Sequence, residues 1–542
     1  MSGNVLDRLA LAVLTLVAVI AALTFRDYGL GWDDYTHSQY GELLLAFYAS
    51  GFRDTRALSF VNLYLYGGGF DMAAALLAKV LPFDLFETRR LLGAAVGILG
   101  LFVTWRIGRR AGGPLAGLVA LLLLALCPLY YGHMFINPKD APFAVAMAVL
   151  LLGLIRAIEE YPKPKRTSVL MLGAGFGLSI GSRIMAGFGV LYALSALALL
   201  TTHEARAGGW RSAGGRLGRF ALALLPSAIL AYAVMALIWP WAVVDPLNPL
   251  RAIGVFAHFF EKPWHELFGG ALIMPPDMPR SYVPVLLGLK LPELFLALGA
   301  AGVVGALVIA ARGSVEPRQR AIFLSIALAA ILPVVVTVLT RPAMYNGIRH
   351  FVFVAPALAV AGGLAADWLY RRARHRLLRA SLAALLIAGL SLPAIEMVRL
   401  HPYQYAHFNL NAGGVRGAQG RYMIDYWGLS FKQAAETLRA KLAERGERPP
   451  GGRKWKIAVC GPHPPAEVAL GGGFEPTWDA KGADFALLLG EFYCARLDAP
   501  LLVEVARAGV TFARVHDIRG RDVPALFTIP PIERDEQRLP TR

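Results

Sequence analysis

The chain has 542 residues, of which 56% are hydrophobic and only 17% are charged, and its mean hydropathy is +0.52. A soluble domain carries about 25% charged residues, so this composition excludes an ordinary soluble protein and indicates a polytopic membrane protein. The formal charge of +17 would point to a nucleic-acid partner only if membrane topology did not explain it. The three cysteines supply neither a disulfide framework nor metal-ligand spacing.

Eleven apolar stretches approach the length of about 20 residues that a helix needs to cross a bilayer. We predict transmembrane helices at 4–25, 88–106, 114–131, 141–158, 168–182, 184–201, 220–242, 286–311, 321–340, 351–370 and 380–398. The fifth and sixth are short and run together through GSRIMAG (181–187). No clean small-residue cleavage site follows the first helix, which indicates an uncleaved signal anchor.

The basic residues are distributed unevenly between the loops. With the N-terminus in the cytoplasm, the short inner loops hold 18 Lys and Arg residues and the short outer loops hold 4. The positive-inside rule requires this asymmetry, and the opposite orientation would invert it. Most of the positive charge is therefore a topology signal, and we expect no nucleic-acid partner. Because eleven is odd, the chain after residue 400 is predicted to be extracytoplasmic.

The first outer loop, 26–87, opens with an acidic pair and contains two further helical patterns. The stretch 35–50 has apolar residues on one helical face, and 61–82 is nearly long enough to span but is broken by three glycines at 67–69. A span there would move every later loop to the other side and reverse the charge asymmetry. We therefore predict that both helices lie in the membrane interface.

The segment 400–530 is compositionally different from the rest and is predicted to be a small soluble extracytoplasmic α/β domain. Cys460 and Cys494 lie in it and can pair only if the domain is extracytoplasmic and the geometry permits. The tail 531–542 has no apolar pattern and is predicted to be disordered. An amphipathic helix, two short strands and a pair of strands around a turn are predicted at 430–445, 454–461, 483–491 and 503–518.

Several stretches together carry a resemblance to a known superfamily. They are GWDDYTHSQYGE (31–42), FETRRLLGAAVGILGLFVTWRIGRR (86–110), LLLLALCPLYYGHMFINPKDAPFA (121–144) and IRHFVFVAPALAV (348–360). With the polytopic body, they resemble the GT-C superfamily of integral-membrane glycosyltransferases, and most closely the protein O-mannosyltransferase and aminoarabinose transferase group, glycosyltransferase family 39. The resemblance covers about residues 1–399, which form the predicted catalytic domain.

The resemblance implies a multi-pass enzyme of the bacterial inner membrane. It would move a sugar from a polyprenyl-phosphate-linked donor to an acceptor hydroxyl or amine at the extracytoplasmic face. Asp33 matches the first acid of the family motif and is the implied base that takes the acceptor's proton in a single displacement. Asp34 stands where the family usually has Glu and would raise the pKa of Asp33 or, with Tyr35, orient the acceptor. The alternative is a solvated turn that caps the helix at 35–50.

The departing phosphate needs cations, and arginine binds phosphate oxygens through two parallel hydrogen bonds. Arg183 and Arg349 lie at the predicted outer ends of apolar helices, where an ionisable residue is a functional candidate. The second large outer loop, 243–285, adds basic residues near the membrane. The predicted donor phosphate ligands are Arg183, Arg349, His350, Lys262 and His258.

Asp140, beside Lys139, is the acid of another outer loop. One carboxylate next to a lysine is a poor cage for a hard cation, so we expect a metal-independent enzyme with no cofactor. Asp140 is predicted to pair with Arg89 or Arg90, or to help hold the acceptor. It fits equally well as the N-cap of the next helix, with Pro142 in its first turn.

A transporter or flippase of a lipid-linked sugar is the alternative function. Transporters place ionisable residues near the bilayer midplane and show related halves, whereas these helices are nearly free of charge in mid-span and show no repeat. A scaffold whose active part is the C-terminal domain ranks third, because nothing in that domain is typical of a catalytic site. The sugar and the acceptor are not specified by the sequence.

Overall fold

The computed structural model describes residues 3–257 and 265–529, which contain twenty α-helices and seven β-strands. The helices are α1 (Gly3–Thr24), α2 (Asp34–Ala49), α3 (Gly69–Ala78), α4 (Leu85–Gly112), α5 (Pro114–Ala125), α6 (Pro128–Ile136), α7 (Asp140–Glu159), α8 (Arg166–Ser182), α9 (Gly187–Gly208), α10 (Trp210–Ile238), α11 (Trp241–Val244), α12 (Asn248–Ala257), α13 (Tyr282–Lys290), α14 (Glu293–Ala311), α15 (Pro317–Thr340), α16 (Ala355–Arg372), α17 (Arg376–Leu400), α18 (Gly414–Ala418), α19 (Ser430–Glu444) and α20 (His463–Leu470). The strands are β1 (Glu266–Phe268), β2 (Ala271–Ile273), β3 (Trp455–Cys460), β4 (Phe474–Thr477), β5 (Phe485–Leu489), β6 (Leu501–Arg507) and β7 (Val510–Asp517).

Nine helices in the described part of the chain are long and apolar enough to cross a membrane, some with a short 3₁₀ turn at one end. They are α1, α4, α7, α9, α10, α14, α15, α16 and α17. The pair α5 and α6, bent by 62° at the break between them, forms a tenth candidate span. The predicted number of eleven is not confirmed, because the remaining stretch, α8, has 17 residues, the lower limit for a span.

α8 lies antiparallel to α7, the most buried candidate span. Near the end of α7, Arg156 donates a hydrogen bond to Ser168 in the first turn of α8, at 3.1 Å. At the other end, Arg183 directly after α8 forms an ion pair with Asp140 at the start of α7, at 2.6 Å. Glycine permits this close packing, since a Cβ on Gly175 would lie 2.5 Å from a backbone atom of α7. The pairing brings Arg183 and Asp140 to one end of the bundle.

The chain between α1 and α4 forms two short helices that pack on each other, α2 and α3. α2 matches the predicted helix at 35–50, whereas the pattern at 61–82 forms a 3₁₀ turn at Leu63–Leu65 and becomes α-helical only from Gly69. The break has a steric cause, because a Cβ on Gly67 would lie 1.6 Å from the carbonyl oxygen of Gly181. The glycines thus let the chain cross the end of α8 before α3 begins.

The predicted second outer loop, 243–285, contains the end of α11, all of α12 and a small antiparallel hairpin of β1 and β2. The hairpin contacts the C-terminal segment, where the amide of Gly270 donates to the carbonyl of Arg421 at 3.0 Å. Two predicted phosphate ligands, His258 and Lys262, lie outside the described residues.

The C-terminal domain is a five-stranded sheet in the order β4-β3-β5-β7-β6. The first three strands are parallel and the last two are antiparallel to their neighbours, which gives the predicted α/β character. The predicted helix and strands are found at α19, β3, β5, β6 and β7, while α20 and β4 were not predicted. Cys460 at the end of β3 forms a disulfide with Cys494. The predicted disordered tail, 531–542, lies outside the described residues.

The domain contacts the same end of the bundle that holds Asp33. His401 after α17 pairs with Asp27 after α1 at 2.8 Å, and Tyr28 donates to Gln404 at 3.1 Å. A Cβ on Gly132 in α6 would lie 2.5 Å from the backbone of Tyr405. The ends of the first and last spans therefore meet directly under the domain.

Candidate active site

Asp34 is buried at the start of α2 in a cluster of hydrogen-bond donors. Both of its carboxylate oxygens accept from Arg90 of α4, at 3.1 and 2.6 Å, and one also accepts from the amide of Gly31 at 2.8 Å. The Nε of Arg89 lies 3.5 Å from the other oxygen. The Asp34 carboxylate is only 1% exposed and is surrounded by these donors, so Asp34 is placed to hold the loop rather than to meet an acceptor.

Asp71, in the first turn of α3, is a buried acid that the sequence patterns did not single out. It pairs with Arg89 at 2.7 Å and with His37 of α2 at 2.7 Å. Burial opposes ionisation of Asp71, but His37 and Arg89 outweigh it and hold its pKa below the usual range. Asp71 and Asp34 connect α3 and α2 to α4, because Asp71 pairs with Arg89 of α4 and Asp34 pairs with Arg90. The signal that could have identified Asp71 in the sequence is a single Asp within an otherwise apolar helix.

Asp33 is the acid of the pair that remains accessible. Its side chain is 27% exposed, compared with 1% for Asp34, and it lies 3.3 Å from Lys139 and 3.9 Å from Arg349. It occupies the N-cap position of α2, but its carboxylate accepts no capping hydrogen bond. The alternative that the pair merely caps this helix is therefore wrong for Asp33.

Asp140 joins two arginines from distant parts of the chain. It lies 2.6 Å from Arg183 and 3.2 Å from Arg349, and its own exposed side-chain fraction is only 2%. Arg349 thus stands between the two carboxylates of Asp33 and Asp140. The sequence predicted each of these residues for the site, and the structure brings them together.

Two of the predicted alternatives for Asp140 are wrong. It does not pair with Arg89 or Arg90, because those arginines are engaged by Asp71 and Asp34. It does not cap its own helix, because the side-chain oxygen of Asn137 accepts the amides of residues 139 and 140, at 3.1 and 2.7 Å. Asn137 also donates to the Asp140 carboxylate at 2.9 Å. Asn137 therefore satisfies the first amides at the start of α7, and the Asp140 carboxylate remains available to the arginines.

The charges in this cluster shift the acid–base properties of its members. Burial opposes ionisation of Asp33, but the positive charges of Lys139 and Arg349 outweigh it and hold the pKa of Asp33 well below its usual range. Burial lowers the pKa of Lys139, and the nearby arginines lower it further, although Asp33 counteracts them. The field of these cations thus favours the ionised form of Asp33. This differs from the expectation that Asp34 raises its pKa, because Asp34 is neutralised by Arg90.

Aromatic rings pack around the cations. The ring of Tyr66 lies 5.2 Å from the Lys139 ammonium and 5.6 Å from the Arg183 guanidinium. The Arg349 guanidinium lies 5.0 Å from the ring of Tyr345 and 5.2 Å from that of Trp427. Cations over aromatic faces are stabilised without losing their hydrogen-bond donors. Tyr66 and Tyr345 were not assigned to the site from the sequence.

The other predicted site residues take peripheral positions. His350 directly follows Arg349 and its ring lies 5.1 Å from that of Tyr345. Tyr35 is half-buried in the first turn of α2, where its carbonyl accepts from Ser38 at 2.6 Å. Within 3–257 and 265–529, no three His, Cys, Asp or Glu side chains cluster as a metal site would require. The expected metal independence stays a prediction.

The comparisons with known proteins fit this architecture. Residues 70–239 match the family described as dolichyl-phosphate-mannose-protein mannosyltransferase. The apo crystal structure of ArnT from Cupriavidus metallidurans is similar along nearly its whole length, with a TM-score of 0.50, 16% identity, and coverage of 95% of this chain and 98% of that one. The chain has the GT-C fold.

Two further structures align with lower scores. ArnT from Cupriavidus metallidurans bound to undecaprenyl phosphate has a TM-score of 0.47 and 16% identity, with coverage of 94% of this chain and 97% of that one. The apo oligosaccharyltransferase of Archaeoglobus fulgidus has a TM-score of 0.48 and 13% identity, with coverage of 88% and 65%. A search of curated proteins finds no match to the chain.

The family match covers only one part of the site within this GT-C fold. The matched region runs from α3 to the end of α10 and contains Asp71, Asp140 and Arg183. Asp33 precedes it, and Arg349 follows it by more than a hundred residues. The site is therefore assembled from segments inside and outside the matched region.

Proposed function

We propose that the chain is a glycosyltransferase that moves a hexose or pentose from a polyprenyl-phosphate-linked donor to an acceptor hydroxyl or amine. The observation that carries this proposal is the convergence of three cations and two carboxylates at one end of the helix bundle. The name of the matched family, which specifies a dolichyl-phosphate-linked sugar, supports the same donor class.

The cations are suited to the phosphate of such a donor. Lys139, Arg183 and Arg349 exceed the two acids Asp33 and Asp140 by one positive charge. The buried Nε atoms of Arg183 and Arg349 also have no hydrogen-bond partner within the described residues. A phosphodiester carries one negative charge and acceptor oxygens, so it supplies both the missing charge and the missing acceptors. Arginine also matches the second negative charge that develops on the phosphate as it leaves.

Asp33 is the proposed base because it combines ionisation with access. The acceptor oxygen attacks the anomeric carbon as the bond from that carbon to the phosphate oxygen breaks. The acceptor's proton passes to the Asp33 carboxylate, and polyprenyl phosphate leaves with the bonding electron pair. Asp140 and Asp34 are at most 2% exposed and are paired with arginines, which leaves them as supports of the site.

Donor binding would strengthen this base. The low pKa of Asp33 is maintained by Lys139 and Arg349, the same cations that the phosphate would engage. A phosphate on these cations offsets their field at Asp33, so the pKa of Asp33 rises toward its ordinary value when the donor is in place. The Asp33 carboxylate is then a better proton acceptor in the donor complex, where the proton of the acceptor has to be transferred, than in the free protein.

The C-terminal domain supports a proposal for the compartment. The Cys460–Cys494 disulfide is expected to persist in an oxidising compartment, which supports an extracytoplasmic domain and a cytoplasmic N-terminus. The acids and the cations lie at the end of the bundle that contacts this domain. We propose that transfer takes place at the extracytoplasmic face of the inner membrane, at the depth of the lipid headgroups.

The transporter alternative has less support. The charged cluster lies where helices begin or end at one side of the bundle. Arg183 directly follows α8, and Asp140 is the first residue of α7. A transport site would be expected near the bilayer midplane.

The function is tested by following lipid-linked sugars in membranes. Membranes that contain the protein are incubated with radiolabelled nucleotide sugars, and lipid-linked sugar and free polyprenyl phosphate are quantified. We expect the protein to consume a polyprenyl-phosphate sugar and release polyprenyl phosphate, and Asp33→Asn to slow consumption by at least about a hundredfold.

Arg183→Lys and Arg349→Lys should lose nearly as much activity as the Ala variants, because lysine keeps the charge but not the two-pronged geometry. Arg341→Lys is the matched control, since Arg341 donates to the carbonyls of Met278 and Asp277. No consumption of any lipid-linked sugar would contradict the proposal.

A further inference from the structure

The turn at 425–430 of the C-terminal domain is tightly built. The Asp425 carboxylate accepts from the amides of Leu429 and Ser430, at 3.0 and 3.1 Å, and from the hydroxyl of Tyr405. Gly428 has a φ of +71°, a conformation that favours glycine. These contacts fix the direction in which Trp427 leaves the turn.

This turn packs directly on the loop that carries the acidic pair. A Cβ on Gly29 would lie 2.2 Å from the carbonyl oxygen of Leu429, and a Cβ on Gly31 would lie 3.0 Å from the indole of Trp427. Two segments about 400 residues apart are therefore in backbone-level contact. The two glycines provide the space for it.

Trp427 reaches from this turn into the cluster of charges. It is 1% exposed, and its ring lies 5.2 Å from the Arg349 guanidinium and 5.7 Å from the ring of His133. Its buried Nε1 has no hydrogen-bond partner within the described residues. Tyr345 stacks near the same guanidinium, so Arg349 is held by two rings as well as by Asp140.

We infer that Trp427 is a positioning residue of the active site, which holds Arg349 and the Asp33 loop at their working separation. The inference rests on the proposed function and deepens it, because the C-terminal domain then completes the donor phosphate site. Loss of the indole frees Arg349 to rotate away from the phosphate position and removes the support of residues 29–31. Both donor affinity and turnover then fall, although the acids and cations are all still present.

The test compares Trp427→Leu and the conservative Trp427→Phe in the full-length protein. Trp478→Leu is the matched control, because Trp478 lies in the same domain but is 45% exposed and stacks on His463. Affinity is measured with undecaprenyl phosphate in detergent micelles, and turnover and the donor KM are measured with the lipid-linked sugar. A cation–aromatic contact of this kind corresponds to a change of about two- to thirtyfold. We expect Trp427→Leu to weaken undecaprenyl phosphate binding by about this factor, Trp427→Phe to restore part of it, and Trp478→Leu to leave it unchanged.

A second measurement separates positioning from packing. If Trp427 acts through Arg349, adding Trp427→Leu to Arg349→Lys should weaken binding no further, whereas independent effects would multiply. Full multiplication, or unchanged binding in Trp427→Leu with only a lower melting temperature, would overturn the inference. Trp427→Phe carries the same test if the leucine variant does not fold. Failure of the wild-type protein to bind undecaprenyl phosphate would instead contradict the proposed function itself.

Discussion

Asp34→Asn should destabilise the protein, although the side chain keeps its size. One carboxylate oxygen accepts from Arg90 and Gly31, and the other accepts from Arg90 and lies near Arg89. An amide in either orientation therefore directs an N–H group at two donors and leaves Arg90 buried without its counter-charge. Removing one partner of a buried ion pair costs about 3–5 kcal/mol.

The assay is the melting temperature of the purified protein, with Asp54→Asn as the matched control. Asp54 pairs with Arg56 at the surface, where an ion pair contributes little. We expect a clear decrease for Asp34→Asn and none for the control. The double variant Asp34→Asn with Arg90→Met, which removes both charges, should recover part of the loss. Equal melting temperatures for Asp34→Asn and Asp54→Asn would refute the structural assignment of Asp34.

Three further predictions address the C-terminal domain and the topology. Replacing Cys460 and Cys494 by Ser opens a loop of 34 residues and should cost about 4 kcal/mol, seen as a lower melting temperature that Cys127→Ala does not reproduce. Burial raises the pKa of Glu491 to about 8, so between about pH 4.5 and 8 the folded state binds a proton that the unfolded state does not. The free energy of unfolding therefore falls as the pH rises through this range, by at most about 1.4 kcal/mol per pH unit. Glu491→Gln should make the melting temperature less dependent on pH over this range, and an unchanged slope would contradict the raised pKa of Glu491. A thiol reagent added from outside should label Cys at Arg53 or Glu444 but not at Arg374, and labelling at Arg374 would reverse the orientation.

The sequence predicted much of the fold because each signal was local. Membrane helices are visible as apolar length, and the short strands β3 and β5 are visible as apolar runs bounded by glycine. The start of α3 was also predictable, since three consecutive glycines at 67–69 interrupt the helical pattern of 61–82. The status of α8 was not, because 17 residues are compatible with either a short span or a partial one.

The partners of the charged residues were harder to predict. Asp140 was predicted to pair with Arg89 or Arg90 of α4, and only the packing of α7 on α8 selects Arg183 instead. Asp33 and Asp34 are adjacent, yet Asp34 faces the protein interior, because Arg90 binds it there, whereas Asp33 faces the site. The contact of Trp427 with Gly31, in the loop before Asp33, was not predicted, since it joins residues almost 400 positions apart in the sequence.

The central claim is that Asp33 takes the acceptor's proton. The most direct test is the turnover of Asp33→Asn with the lipid-linked donor at saturation, together with its melting temperature and its affinity for undecaprenyl phosphate. A general base contributes about 10²–10⁴-fold, or about 2.7–5.4 kcal/mol of barrier. We expect at least about a hundredfold loss of turnover, with the fold intact and donor still bound. Turnover near that of the wild-type protein would contradict the assignment of Asp33 as the base.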